Sequence, residues 1–112
     1  MEHLIKFGQL KPSMSFNEKV WALTARIPRG KVMTYAQIAH QLKSKGYRAV
    51  GNALNKNPYA PAVPCHRVVG SDRSLTGFAS GLEKKRKMLA NEGVACNGDR
   101  VEVQKLYVFK RA

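Results

Sequence analysis

Acidic residues are scarce in this chain. Seven Asp and Glu stand against twenty Lys and Arg in 112 residues, a formal net charge of +13. That excludes a charge-balanced surface and points to a polyanionic partner, nucleic acid first, with an anionic membrane surface or ribosome-like RNA as the alternatives. Cysteine is scarcer still. Cys65 and Cys96 are the two, with no CxxC and no His/Cys cluster at metal-ligand spacing, so no metal site is expected. Nothing reads as a secretory signal, because Glu2, Lys6 and Lys11 interrupt the first residues, and both thiols are therefore expected free. Apolar runs long enough to span a bilayer are absent. The expectation is a soluble protein of the cell interior, cytoplasmic and nucleoid-associated, or nuclear in a eukaryote. Repeats, low-complexity stretches and linkers are also missing, which leaves one small domain, and 44% hydrophobic content is enough to fill its modest core.

What is present is helical punctuation. Ser15-Phe16-Asn17-Glu18 reads as a capping box, and Phe16, Val20, Leu23 and Ile27 follow at helical spacing until Pro28-Arg29-Gly30, which predicts a helix over 15–27. Thr34-Tyr35-Ala36-Gln37 is a second box, opening a helix over 35–43 with Ile38, Ala39 and Leu42 on one face. After Gly46, a helix over 47–55 turns Val50, Ala53 and Leu54 inward. This pair has the shape of a helix-turn-helix. Ser80-Gly81-Leu82-Glu83 reads as a third box for a helix over 82–92, with Leu82 and Leu89 seven apart, a basic run from Lys84 to Lys87, and Gly93 as its C-terminal cap.

The remaining segments read less regularly. Residues 1–14 form an extension in which His3-Leu4-Ile5-Lys6-Phe7 is compatible with a short strand. Pro58, Pro61 and Pro64 exclude a helix, Cys65 to Val69 reads as extended, and Gly70-Ser71-Asp72 as a turn. Asn97-Gly98, between Val94-Ala95-Cys96 and Val101-Glu102-Val103, signals a hairpin, and Leu106 to Phe109 is compatible with further extended structure.

Cys65 lies in Val63-Pro64-Cys65-His66-Arg67-Val68-Val69-Gly70. A free thiol with a pKa of about 8.5 is only slightly ionised near neutrality, and a base or cation beside it raises the reactive fraction. Pro64, His66 and Arg67 supply a rigid approach, a base and a cation. In a strand, however, neighbours point to opposite faces, so His66 reaches the sulfur only through a kink or a bridging water. The competing reading makes Cys65 a small buried hydrophobe.

The run Pro64-Cys65-His66-Arg67-Val68 resembles the active-site signature of the methylated-DNA–protein-cysteine methyltransferases, the O6-alkylguanine-DNA alkyltransferases. Met33 to Ala39, Arg48 to Leu54, Asn57-Pro58, Gly77-Phe78 and Leu89 to Gly93 follow the same order, so the resemblance runs from about Ser15 to Val94. It implies a mainly α fold with short β-strands, a small winged-helix-like (helix-turn-helix) alkyltransferase catalytic domain over 15–112. It implies duplex DNA carrying an alkylated guanine as partner, a monomer, and no cofactor.

The resemblance also implies roles. Cys65 is the alkyl acceptor, His66 draws its proton through a water, and Glu92 orients the imidazole. Tyr35 assists the leaving guanine oxygen and rotates a phosphate, and Asn57 braces the active-site turn. Arg48 enters the base stack, while Ala49, Gly51 and Asn52 let the second helix approach the minor groove. Arg67, Lys43, Lys45 and the run around Lys85 count among the DNA-contacting cations. The base pocket is assigned to Tyr35, Pro64, Val68 and the loop Phe78-Ala79-Ser80, where some members place Tyr and Ser in the positions of Phe78 and Ala79. Two alternatives stand beside this. One is an alkyltransferase-like lesion sensor, which lacks the acceptor Cys. The other is a plain winged-helix module in which Cys65 is structural. A cysteine hydrolase fits poorly, because no oxyanion-hole motif is present.

Overall fold

The capping box at Ser15 closes as its residues dictate. The Ser15 hydroxyl accepts from the Glu18 amide at 3.1 Å, and the Glu18 carboxylate accepts from the Ser15 amide at 2.9 Å. The helix it opens is the second of five in a computed structural model that describes residues 2–44, 46–60, 62–75, 81–98, 100–102 and 105–107. In chain order these are α1 (Glu2–Lys6), α2 (Phe16–Ala25), β1 (Met33–Thr34), α3 (Tyr35–Gln41), α4 (Tyr47–Asn55), a 3-10 turn (Cys65–Arg67), β2 (Val68–Val69), α5 (Leu82–Asn91), β3 (Cys96–Asn97) and β4 (Arg100–Val101). The fold is mostly helical, as expected, with two short strand pairs among the described residues.

Helices α2, α3 and α4 pack on one another around Val20, Leu23, Ile38, Val50 and Ala53, all buried. The Trp21 indole N–H donates to the Ala53 carbonyl at 2.7 Å and ties α2 to α4. The capping box at Thr34 forms reciprocally with Gln37, and α3 ends where Lys43 takes a left-handed φ of 56°. Helix α4 begins at Tyr47 as predicted and buries Val50, Ala53 and Leu54. These two helices and their turn form the helix-turn-helix.

Four expectations change. The segment 3–7 is not a strand but part of α1, which seats Ile5 in a cluster with Met14, Ala22 and Val63. The segment after Pro64 is not extended from Cys65. It makes one 3-10 turn and becomes a strand only at Val68. Helix α5 is capped by Gly81 at φ 100° with no side-chain bond, and Ser80 lies outside the described residues. Leu82 is half exposed, and the inward face of α5 is carried by Lys85 and Leu89, four apart. The hairpin expected around Asn97-Gly98 is present and pairs Cys96 with Val101 and Asn97 with Arg100. Val103, Phe109, Lys45 and Phe78-Ala79 lie outside the described residues.

One pairing was not foreseen. β1 and β2 are parallel, with Met33 opposite Val68 and Thr34 opposite Val69. It sets the first turn of α3 against the segment that follows Cys65.

Helix α5 ends in a Schellman motif. The Val94 amide donates to the Leu89 carbonyl at 2.9 Å and the Gly93 amide to the Ala90 carbonyl at 3.0 Å, with Gly93 at φ 83°. Leu89 and Val94 are buried in one cluster, so the chain reversal fixes Glu92 at the helix end. A Gly93→Ala substitution, forced into the left-handed region, is expected to cost roughly 1–2 kcal/mol. Urea unfolding checks this as a lowered midpoint at unchanged slope.

Candidate active site

The 3-10 turn decides how the signature residues are displayed. Side chains in such a turn project about 120° apart, so three successive residues face three ways. Pro64 is buried before it, and the Cys65 amide donates to the Val63 carbonyl at 2.9 Å. Asn57 braces the approach from upstream: its side-chain N–H donates to the same Val63 carbonyl at 2.9 Å, and its side-chain oxygen accepts from the Tyr59 amide. Cys65 itself is a half-buried free thiol packed against the α2–α4 core, and Cys96 is free as well.

His66 turns the other way and is 3% exposed. Its Nε2 lies 3.1 Å from a Glu92 carboxylate oxygen. Arg67 reaches the same carboxylate with both arms of its guanidinium, Nε to one oxygen at 2.8 Å and a terminal N–H to the other at 2.6 Å. Its remaining terminal nitrogen donates to the Ile27 carbonyl at 2.8 Å. Arg67 is therefore not displayed for DNA contact; it is bound inward. Burial works hardest against the charged form of Glu92, yet the hydrogen bonds from Arg67 and His66 outweigh it and hold the carboxyl below its usual range. Burial, the largest influence on His66, pushes its pKa below 6.5. The bond and charge of Glu92 push back, and the Arg67 and Lys85 charges add to the lowering.

Lys85 is the functional candidate that the basic run concealed. Its side chain is fully buried, its Nζ donates to the Val68 carbonyl at 2.5 Å, and it sits 5.8 Å from the centre of the Tyr35 ring. It cannot contact a phosphate from there. Burial pushes its pKa down to about 8, against the pull of a negative charge at Cys65. A thiolate at Cys65 thus has an ammonium within electrostatic reach. The available signal was position: Lys85 lies one helical turn before Leu89, on the buried face. The Val68 carbonyl, expected in the base pocket, already accepts from Lys85, although a carbonyl has a second lone pair.

Tyr35, half-buried at the start of α3, lines a cavity of about 750 Å³ with Arg48, Gly51, Asn52, Gly70 and Ser71. Arg48 and Asn52 are exposed and Ala49 half-buried. Phe78, Ala79 and Ser80 lie outside the described residues.

A helix-turn-helix fold carrying a half-buried thiol, with an imidazole, a carboxylate and two cations behind it, defines the class: a helix-turn-helix protein with a cysteine site. The chain belongs to the family described as 6-O-methylguanine DNA methyltransferase, DNA binding domain, whose model matches residues 15–94. It is 50% identical over 78 residues to a methylated-DNA–protein-cysteine methyltransferase of Methanosarcina barkeri, covering 69% of this chain and 49% of that protein. It is similar to the Mycobacterium tuberculosis OGT solved in complex with DNA (TM-score 0.68, 36% identity, 82% of this chain and 62% of that one). It is also similar to Schizosaccharomyces pombe Atl1, solved with damaged DNA containing O6-carboxymethylguanine (TM-score 0.69, 28% identity, 86% of this chain and 95% of that one). The chain spans about half the length of several of the methyltransferases it matches.

The buried Lys85 makes stability depend on pH. With its folded pKa near 8 and its ordinary value at 10.5, the unfolded chain holds the proton more tightly between those limits, so stability rises with pH across that window. The gain is expected to approach roughly 3 kcal/mol. Urea unfolding of the wild type and Lys85→Met checks this: the pH slope between 8 and 10.5 disappears in the variant.

Proposed function

We propose that this chain repairs alkylated DNA by moving an alkyl group from the O6 of guanine to Cys65. The observation that carries this is the half-buried thiol on a turn whose next residue, His66, is bound to an ionised Glu92. With Glu92 ionised, the imidazole donates from Nε2, which leaves the Nδ1 lone pair as the base. The thiol proton passes through a water to Nδ1. The thiolate then attacks the alkyl carbon, a thioether forms, and the carbon–oxygen bond breaks. Tyr35 supplies hydrogen bonding to the departing guanine oxygen. Residues 15–112 carry DNA binding and transfer, while residues 1–14 brace them. The protein acts as a monomer, without a cofactor, in the compartment that holds the DNA: cytoplasm or nucleus.

The base must leave the duplex to meet Cys65. Arg48, at the head of α4 on the cavity, fills the space it vacates. Gly51 and Asn52 let α4 lie close to the minor groove, with Lys43 on phosphates, and that gives an affinity that falls with salt. Phe78, Ala79 and Ser80 complete the base pocket.

The resemblance to Atl1 over nearly its whole length favours one second reading, a sensor that binds the lesion and hands it on. The thiol separates the two. On incubation with duplex DNA containing O6-methylguanine, the Cys65 peptide is expected to gain one methyl group, once per molecule. Cys65→Ala binds the same DNA and gains nothing. A protein that binds but never gains mass is the sensor, and multiple turnovers contradict the mechanism.

Gly51 offers an independent check. Among the described residues a Cβ there meets only the Tyr35 ring, at 4.0 Å, so none of them requires glycine at this position. Gly51→Ala is expected to raise stability by about 0.5–1 kcal/mol while weakening duplex binding. Thermal melting and a DNA titration measure the two separately.

A further inference from the structure

Arg67 is the second cation of the site, and nothing in the transfer chemistry above uses it. Its position is nevertheless highly determined. Three of its hydrogen bonds are made inside the protein: two to Glu92, one to each oxygen, and one to the Ile27 carbonyl just past α2. Its side chain is 15% exposed and that of Glu92 9%. His66 has only the longer contact, 3.1 Å, to an oxygen that already accepts from Arg67 at 2.6 Å. We infer that Arg67 is a positioning residue for the transfer: by clamping Glu92 through a bidentate pair, it reduces that carboxylate to an orienting acceptor for His66 and keeps the imidazole neutral and able to take the thiol proton.

The reasoning is electrostatic. A carboxylate facing an imidazole alone in a protein interior stabilises the imidazolium strongly, and an imidazole that is already protonated accepts nothing. A guanidinium on the same carboxylate cancels most of that field. A bidentate fork also fixes the carboxylate plane, so that one oxygen still reaches Nε2 and selects the tautomer. The charged groups that act on the imidazole are Glu92 and Lys85 from α5 and its cap, and Arg67 from its own turn. The chain just past α2, also against the turn, contributes the Ile27 carbonyl that anchors Arg67. Of the three charges, Glu92 alone favours the imidazolium, and Arg67 and Lys85 oppose it. Removing Arg67 therefore acts twice in one direction: a repelling charge disappears and Glu92 is left to His66.

This inference rests on His66 being the proton acceptor, and its test is chosen to fail separately. Two variants are compared with the wild type, Arg67→Met and Arg67→Lys, each first shown to be folded by thermal melting. The His66 imidazole titration is followed by NMR in a Cys65→Ser background, where no transfer is needed. The single-turnover rate on duplex DNA carrying O6-methylguanine is measured against pH with Cys65 in place. In Arg67→Met the imidazole titration is expected to move to higher pH. Transfer falls about tenfold near about pH 6 but recovers to within about threefold of wild type near about pH 8.5. Arg67→Lys keeps the charge without the fork and moves both curves in the same direction by less. If Arg67→Met does not fold, the Arg67→Lys titration alone decides. An unmoved imidazole titration, or a rate loss equal at every pH, means that Arg67 only stabilises the fold and overturns the inference. Wild-type protein that never methylates Cys65 sinks the proposed function but leaves the titration as a valid reading of Arg67.

Discussion

The site depends on two rungs of parallel ladder, Met33 to Val68 and Thr34 to Val69. Each strand is only two residues long, and two distant stretches of chain must meet to form them. Closing such a loop costs entropy, which is offset by the burial of Met33 and Val68 against the helical core and of Val69 in the cluster with Val32, Leu75 and Leu89. The candidate site is keyed to that pairing. Thr34 is at once a rung and the N-cap of α3, so the next residue, Tyr35, is placed by the ladder. Val69 leads into Gly70, which lines the same cavity as Tyr35. Val68 offers its carbonyl to Lys85, and the turn before it carries Cys65.

Around this frame the scarce acidic residues acquire meaning. In a chain with a large positive excess, Glu92 is set among cations at the end of α5, where the helix dipole disfavours a negative charge. Burying a carboxylate there is tolerable only with close partners. Arg67 and His66 are those partners, and the Schellman turn at Gly93 fixes where the carboxylate emerges. The arrangement resembles other nucleophilic sites in which a third group holds the base, with the difference that a guanidinium moderates the carboxylate.

Two of the structural neighbours bracket the proposed function. One is a methyltransferase of which this chain covers 62%, and the other is Atl1, of which it covers nearly all. Architecture alone does not choose between the two readings proposed above, since this chain is similar to both neighbours. The choice falls to a single sulfur atom and to whether the groups behind it can take its proton.

How much of this was legible in the sequence follows from the range of the interactions involved. Capping boxes at Ser15 and Thr34, the inward face of α4, and Gly93 as a C-cap all depend on neighbours within a few residues, and the chain spells them out. Cys65 stood out as a candidate because its chemistry and motif are local. The strand expected at Ile5, the extended reading of Cys65–Arg67, the surface role given to Lys85 and the DNA role given to Arg67 were not correct, each for one physical reason. Ile5 is placed by burial against Ala22 and Val63, and Lys85 by the Val68 carbonyl it meets. Arg67 is placed by Glu92 and Ile27, far from it in sequence. The sequence determined the helices from α2 to α4 and which thiol is the candidate nucleophile. Tertiary structure alone decided which of the many cations turn inward, because a charge is buried only where a specific distant partner compensates its lost hydration.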